Sequence, residues 1–369
     1  MNSIYIHIPF CSNICSYCDF SKIFYNKNIV NKYLDTLEKE IKINYKNDKI
    51  KTIYIGGGTP SCLEVYELDR LFKILSIINL DKEYEFTIEC NPENMNEEKI
   101  KLFKKYGINR VSIGVQSFND EILSMLNRNH NKKQVYNLIN LLKQYGIYNI
   151  NIDLIFGINN QTLNDIENDL KNFLQLDIPH ISYYSLILEK NTKLAINNYD
   201  QIDDDKCASM YEYICNYLSN NGYNHYEISN FSKIGYESIH NLTYWNNDRY
   251  YGFGLGAHGY INNTRYENTR SITKYLNENF LLNKEIIDKN IDIENEIILG
   301  LRKTTGINRS KFRNKFNIDI YDAFKLDNLL DNKYLIDDGV NIFINSKYLF
   351  VSNEILVRLL DNIDRSNYE

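Results

Sequence analysis

Three cysteines, Cys11, Cys15 and Cys18, stand within eight residues in the segment CSNICSYCDF, spaced C-x3-C-x2-C. Thiolates so spaced bind zinc or an iron–sulfur cluster. Zinc usually takes four ligands as two separated pairs, and no second pair follows at such a spacing. A [4Fe–4S] cube suits three thiolates better, because one iron is left open to an outside ligand. Two residues beyond Cys18 the chain has Phe20, not a fourth thiol. The plain alternatives are a zinc site or a cysteine-rich loop without metal. Cys62, Cys90, Cys207 and Cys215 are scattered and read as buried small hydrophobes.

Other residues could also carry chemistry. Gly56-Gly57-Gly58-Thr59-Pro60 lacks the Gly-Lys-Ser/Thr of a P-loop. Consecutive glycines let a ligand approach the backbone and expose N–H groups, although a lone run is often just a tight turn. Glu89 and Asp153 are acids in strand-like segments, where burial is costly without a partner. For either acid alone, an ion pair is the plain reading. His240 lies in IHNLTYW beside Asn241, Tyr244 and Trp245. A neutral imidazole ligates haem iron, and aromatic rings suit a porphyrin face. A hydrogen-bonded structural histidine explains His240 equally well, and His225 and His258 are rival ligands.

The elements that must position these residues repeat a simple unit. Strands are expected over 4–8, 52–56, 85–90, 110–115, 150–157 and 180–188, all rich in Ile, Val, Tyr and Thr. Between them lie helical faces such as Val30, Tyr33, Leu34, Leu37 and Ile41, or Leu68, Leu71, Phe72, Leu75 and Ile78. Thr162 with Asp165 marks a helix start before Ile166, Leu170 and Phe173. Alternating β and α units imply a parallel α/β sheet with right-handed crossovers. Six units fall short of the eight of a full TIM barrel, so a partial, open (β/α)6 barrel is expected over 1–200. Ligands of such sheets bind at the carboxyl ends of the strands, where the cysteines, the glycines, Glu89, Gln116 and Asp153 gather. Over 201–369 the rhythm stops. A smaller α+β domain is expected there, with helices near 207–218, 272–282, 294–303, 309–316 and 320–332. It would end in a winged-helix-like hairpin and a last helix from about Asn353.

Composition narrows the function classes. The 369 residues are 43% hydrophobic and 24% charged, an ordinary balance for a water-soluble globular chain. A net charge of −6 argues against a broad nucleic-acid footprint. No apolar run approaches the length of a transmembrane segment, and the apolar start at Ile4 is too short for a signal peptide. A cytoplasmic location is expected, where seven cysteines favour metal ligation or buried thiols over disulfides.

The C-x3-C-x2-C loop after the first strand, with Tyr17 just before the third cysteine, resembles the radical S-adenosylmethionine (SAM) superfamily. In that family the open iron binds the amino and carboxylate groups of SAM, which is cleaved to methionine and a 5′-deoxyadenosyl radical. YIHIPFC, GGGTPS, SIGVQSF, NIDLIFG, HISYYSL, YEISNF, HNLTYW and GFGLGAH together resemble its haem-chaperone branch. That branch is related to the oxygen-independent coproporphyrinogen III dehydrogenases. The resemblance implies a [4Fe–4S] cluster on Cys11, Cys15 and Cys18. It implies SAM contacts from Tyr5, Tyr17, Gly57, Gly58, Thr59, Glu89, Gln116, Arg128, Asp153 and Ile187. Among these, Gln116 and Asp153 would reach the ribose, Arg128 the SAM carboxylate and Ile187 the adenine. It makes His240 the candidate haem contact.

Two functions compete. A haem chaperone would carry haem to acceptor proteins, respiratory proteins among the candidates, with peripheral membrane contact left open. A coproporphyrinogen III dehydrogenase would decarboxylate two propionates, using SAM. The dehydrogenases have a further cysteine where this chain has Phe20, and an N-terminal arm where this chain begins its first strand at Ile4. Both departures favour the chaperone, and whether the chain is also an enzyme stays open. The intact SAM-type constellation argues against a third reading, a purely structural metal domain.

Overall fold

The computed structural model describes residues 1–197 and 199–361; residues 362–369, the end of the expected second unit, lie outside the described residues. All six expected strands form: β1 (Ser3–Ile8), β2 (Ile50–Gly57), β3 (Leu80–Cys90), β4 (Arg110–Gln116), β5 (Asn149–Phe156) and β6 (His180–Ser185). They pair in parallel, each beside the next in sequence. Their Ile and Val side chains are buried almost completely, each contributing about 1.5–3 kcal/mol relative to exposure.

Helices on the crossovers bury the faces that their spacing predicts. In α1 (Lys27–Asn44) these are Val30, Tyr33, Leu34, Leu37 and Ile41; in α2 (Val65–Leu75) they are Leu68, Leu71, Phe72 and Leu75. The later crossovers contain α3 (Glu97–Lys105), α4 (Asp120–Met125), α5 (Lys132–Gln144) and α6 (Leu163–Leu176). Thr162 caps α6: its hydroxyl accepts from the Asp165 N–H, and the Asp165 carboxylate accepts from the Thr162 N–H at 2.9 Å. Such a cap is worth about 1 kcal/mol.

The second half departs from expectation. The sheet does not end near residue 200. β7 (Asn224–Glu227) and β8 (Asn230–Ser232) form a hairpin that adds antiparallel to β6. On the other edge β9 (Tyr250–Phe253) pairs parallel with β1, and β10 (His258–Ile261), β11 (Thr264–Asn268) and β12 (Leu281–Ile286) follow antiparallel. One twelve-stranded sheet results. The physical reason is edge closure: an open edge at β1 or β6 would leave a row of backbone groups unpaired. The helix expected over 272–282 is a short one, Ile272–Leu276, followed by β12.

What stands apart from that sheet is the end of the chain. Ile307–Asn308, Leu335–Asp337 and Asn341–Ile344 make a small antiparallel sheet. The helices Arg309–Phe316, Ile320–Ala323, Asp327–Asp331 and Ser352–Asp361 accompany it. This small α+β unit is narrower than the domain expected over 201–369 and coincides with its expected winged-helix-like end. The other second-half helices are α7 (Asp204–Asn220) and α8 (Ile239–Trp245), with Lys289–Gly300 where 294–303 was expected. Among the described residues, no helix is long and apolar enough to cross a membrane.

Candidate functional site

The carboxyl ends of β1 to β6 open on a cavity of about 380 Å3. Cys11, Cys15 and Cys18 lie on its wall. So do Tyr17, Gly57, Gly58, Thr59, Glu89, Gln116, Arg128, Asp153 and Ile187. Nine of the ten residues expected to contact SAM therefore share one cavity with the three cysteines. The tenth, Tyr5, lines a neighbouring cavity instead. Its hydroxyl is 3.0 Å from His7 Nδ1.

Local backbone demands explain several of these residues. Gly57 has φ +116°, and a Cβ there would sit 2.6 Å from the His7 ring. A Cβ on Gly58 would lie 2.8 Å from the Phe10 carbonyl oxygen and 3.0 Å from Cys11 Sγ. Glycine lets the β2 turn pass directly beneath the cysteine loop. Gln116 is buried at the end of β4 with φ +69°, a conformation costly for a non-glycine residue and common at functional sites.

The electrostatics suit a cationic, electron-poor guest. Glu89 accepts from the Tyr54 hydroxyl at 2.8 Å and from the Gly57 N–H at 3.1 Å. Burial, aided by the nearby Asp153, pushes its pKa up to about 7. Burial also raises Asp153, which accepts from Ser112 Oγ at 3.2 Å and Asn151 Nδ2 at 2.8 Å. Arg128 donates to Cys15 Sγ at 3.3 Å, to Asn91 Oδ1 at 2.9 Å and to the Gly114 carbonyl. One guanidinium thus ties the cysteine loop to the ends of β3 and β4.

The three thiols fit a cluster better than a single ion. Among the described residues, no three thiol, imidazole or carboxylate groups converge to hold one metal ion. A cube needs less convergence, because each sulfur meets a different iron. Burial pushes the Cys11 thiol up to about 11 and raises Cys18. Thiolates at these positions call for nearby positive charge, which the irons of a cluster supply.

Comparison with known proteins gives the family. The family model of the radical SAM superfamily matches residues 5–173. The heme chaperone HemW of Lactococcus lactis is 41% identical over 98% of this chain and 98% of its own length. The HemW of Bacillus subtilis is 36% identical over 98% of this chain and all of its own. The chain belongs to the HemW family of radical SAM proteins. The fold is shared more widely: coproporphyrinogen III oxidase HemN of Escherichia coli superposes with a TM-score of 0.85, at 22% identity, over 96% of this chain and 89% of HemN. HemW membership accounts for the three-cysteine loop and the partial barrel together.

Within this HemW-family chain, His240 has the hydrogen-bonded, buried setting that was the plain alternative to a haem contact. It is 1% exposed. Its Nδ1 lies 2.8 Å from Thr52 Oγ1 and its Nε2 2.9 Å from the Tyr244 hydroxyl. Its ring stacks on Tyr54 at 5.0 Å. Both nitrogens are engaged, and burial lowers the imidazole pKa to about 3. Haem ligation there would require the Tyr244 bond to break. Sequence reasoning also missed Tyr54, Asn91 and Tyr184 on the cavity wall. Tyr54 carried a signal, as the polar-tipped residue between Ile53 and Ile55 on a strand of alternating faces.

Proposed function

We propose that this chain is a cytoplasmic haem chaperone that binds haem and hands it to acceptor proteins. A [4Fe–4S] cluster on Cys11, Cys15 and Cys18 and an exchangeable SAM complete it. The observation that carries this reading is the full-length likeness to HemW proteins, joined to one cavity that gathers the cysteines and nine expected SAM contacts. In that cavity Arg128 would hold the SAM carboxylate, and Gly57, Gly58 and Thr59 the amino group. Glu89 would offer a carboxylate to the cation, Gln116 and Asp153 would meet the ribose, and Tyr17 and Ile187 would close the sides. The bound cluster would supply an electron to SAM. The residues of the chain bind, orient and exclude water. Acceptors in the respiratory chain suit such a carrier, and peripheral membrane contact would bring it to them.

Phe20 at the rim of the cavity, 67% exposed, weighs against the dehydrogenase alternative, whose members have cysteine there. The test is transfer. The haem-loaded chain is mixed with an apo-haemoprotein, and the acceptor's Soret spectrum is followed. Saturable loading and transfer, with no decarboxylation of coproporphyrinogen III under SAM and reductant, is the expected result. Turnover of coproporphyrinogen III without haem binding would overturn the reading.

A further inference from the structure

Two sulfurs of the cysteine loop receive hydrogen bonds from side chains outside it. Arg128 Nη1 donates to Cys15 Sγ at 3.3 Å, and the Thr59 hydroxyl donates to Cys11 Sγ at 3.7 Å. Asn91 stands between these two donors. It follows β3 directly and lies on the wall of the cluster cavity. Its Oδ1 accepts from Arg128 Nη2 at 2.9 Å, and its Nδ2 donates to Thr59 Oγ1 at 3.3 Å. A continuous path therefore runs from Cys15 through Arg128, Asn91 and Thr59 to Cys11.

The chemistry of the groups gives this path one direction. A guanidinium only donates, so the Asn91 oxygen must face it, and the Asn91 amide N–H is left for Thr59. The Thr59 oxygen accepts there and keeps its own hydrogen for Cys11 Sγ. Each link polarises the next, so the charge of Arg128 strengthens a hydrogen bond two links away. The path is also braced from behind. The Asn91 backbone N–H donates to Ser61 Oγ at 2.9 Å. The buried Lys99 ammonium donates to the Ser61 carbonyl at 2.7 Å and the Asn94 carbonyl at 2.8 Å, which joins the turn after Thr59 to the turn after Asn91. A Cβ on Gly114 would stand 2.9 Å from Arg128 Nη2 and 3.1 Å from Asn91 Oδ1, so glycine leaves room for the pair.

Resting on the cluster and SAM reading above, we propose that Asn91 is the positioning residue that sets the reduction potential of the cluster and aims Arg128 at the SAM carboxylate. Thr59 and Arg128 are the residues expected at the amino and carboxylate ends of SAM, and one amide fixes both. Hydrogen bonds to cluster sulfurs stabilise the reduced, more negative cluster, so the Asn91 path raises its potential. Asn91 is uncharged. It orients the guanidinium without neutralising it, and the charge stays available to a carboxylate.

The test reconstitutes the cluster anaerobically in the full chain. It reads iron content, midpoint potential by redox titration with electron paramagnetic resonance, and SAM affinity by equilibrium dialysis. Asn91→Asp keeps the shape and reverses one link, because a carboxylate accepts from the Thr59 hydroxyl and draws it off Cys11. Its iron content should match wild type. Its reduced fraction at a fixed potential should fall about tenfold, a shift of about 59 mV for one electron, and SAM should bind about tenfold more weakly. Thr59→Val should lower the potential similarly, and Thr59→Ser should keep it. In the Thr59→Val background, Asn91→Asp should lower the potential much less than it does alone, which separates the relay from the added negative charge. Fully additive shifts, or wild-type potential and SAM affinity in Asn91→Asp, would overturn the proposal and leave the cluster and SAM reading standing. Asn91→Ala removes only the amide and should also weaken SAM about tenfold; wild-type affinity there would overturn the proposal even if Asn91→Asp assembled no cluster. A wild-type chain that holds no cluster or no SAM would overturn that reading itself.

Discussion

Replacing Glu89 by Gln should stabilise the cluster-free, SAM-free protein at alkaline pH. Glu89 is half-buried on the cavity wall, and desolvation there pushes its pKa up to about 7 from an ordinary 4.5. The folded state therefore holds the proton more tightly than the unfolded chain does. The protonated acid favours folding at low pH, and that advantage is lost as pH rises from 4.5 through 7. At pH 8 the ionised Glu89 costs about 3 kcal/mol, and at pH 5 less than about 1 kcal/mol. Glutamine can keep both hydrogen bonds: its oxygen accepts from the Gly57 N–H, and its amide donates to the Tyr54 hydroxyl. Urea denaturation of wild type and Glu89→Gln, at pH 5 and pH 8, reads the effect directly. Glu40, Asp169 and Glu227 are raised to about 7 by burial as well, but they are common to both proteins and cancel. The variant should lead by about 3 kcal/mol at pH 8 and nearly merge with wild type at pH 5. A difference independent of pH would refute the reasoning, because a lost or gained contact has no such slope. With SAM the sign reverses. A charged hydrogen bond is worth about 1.5–3 kcal/mol, so Glu89→Gln should bind SAM about tenfold more weakly or worse.

Gly58→Ala should cost about 1–3 kcal/mol by overpacking and lower the iron content after reconstitution, since its Cβ would press on the Phe10 carbonyl and Cys11 Sγ. Cys11→Ala should lose the cluster's visible absorbance, whereas Cys62→Ala, buried but outside the cluster loop, should keep its iron; iron loss in the Cys62 variant would refute the ligand assignment. Arg128→Lys should retain the cluster and bind SAM more weakly in equilibrium dialysis, because a lysine cannot reproduce the fork that reaches Cys15, Asn91 and Gly114 together.

The first half of the fold was legible because its strands are continuous Ile-rich runs and its helices keep strict apolar faces. The site was legible for a related reason: parallel strands deliver their C-terminal residues to one rim, so Cys11, Gly57, Glu89, Gln116 and Asp153 converge without any knowledge of contacts. Tyr5 lies apart from the other nine because residues two apart on β1 share a face. Tyr5 follows His7 toward the second cavity, while Ile4, Ile6 and Ile8 enter the core. His240 was ambiguous because its partners come from elsewhere, Thr52 from β2 and Tyr54 from the same strand. β9 was hidden because its pairing partner, β1, lies far back in the sequence. β12 was not foreseen because all six of its residues are exposed, so no alternation marks it as a strand; only its first two residues fall within the helix expected over 272–282.

Tyr54 has a further consequence. Its hydroxyl binds Glu89 in the first cavity, its ring rests on His240, and His240 grips Tyr244 on the wall of the second. Four side chains thus join two cavities by direct contact. A guest that moves Glu89 thereby presses on a wall of the second cavity. Thermodynamic linkage then requires symmetry: the factor by which one occupant changes the other's affinity is the factor it receives in return. Whatever coupling this chain of contacts carries needs no hinge or domain rotation to transmit it.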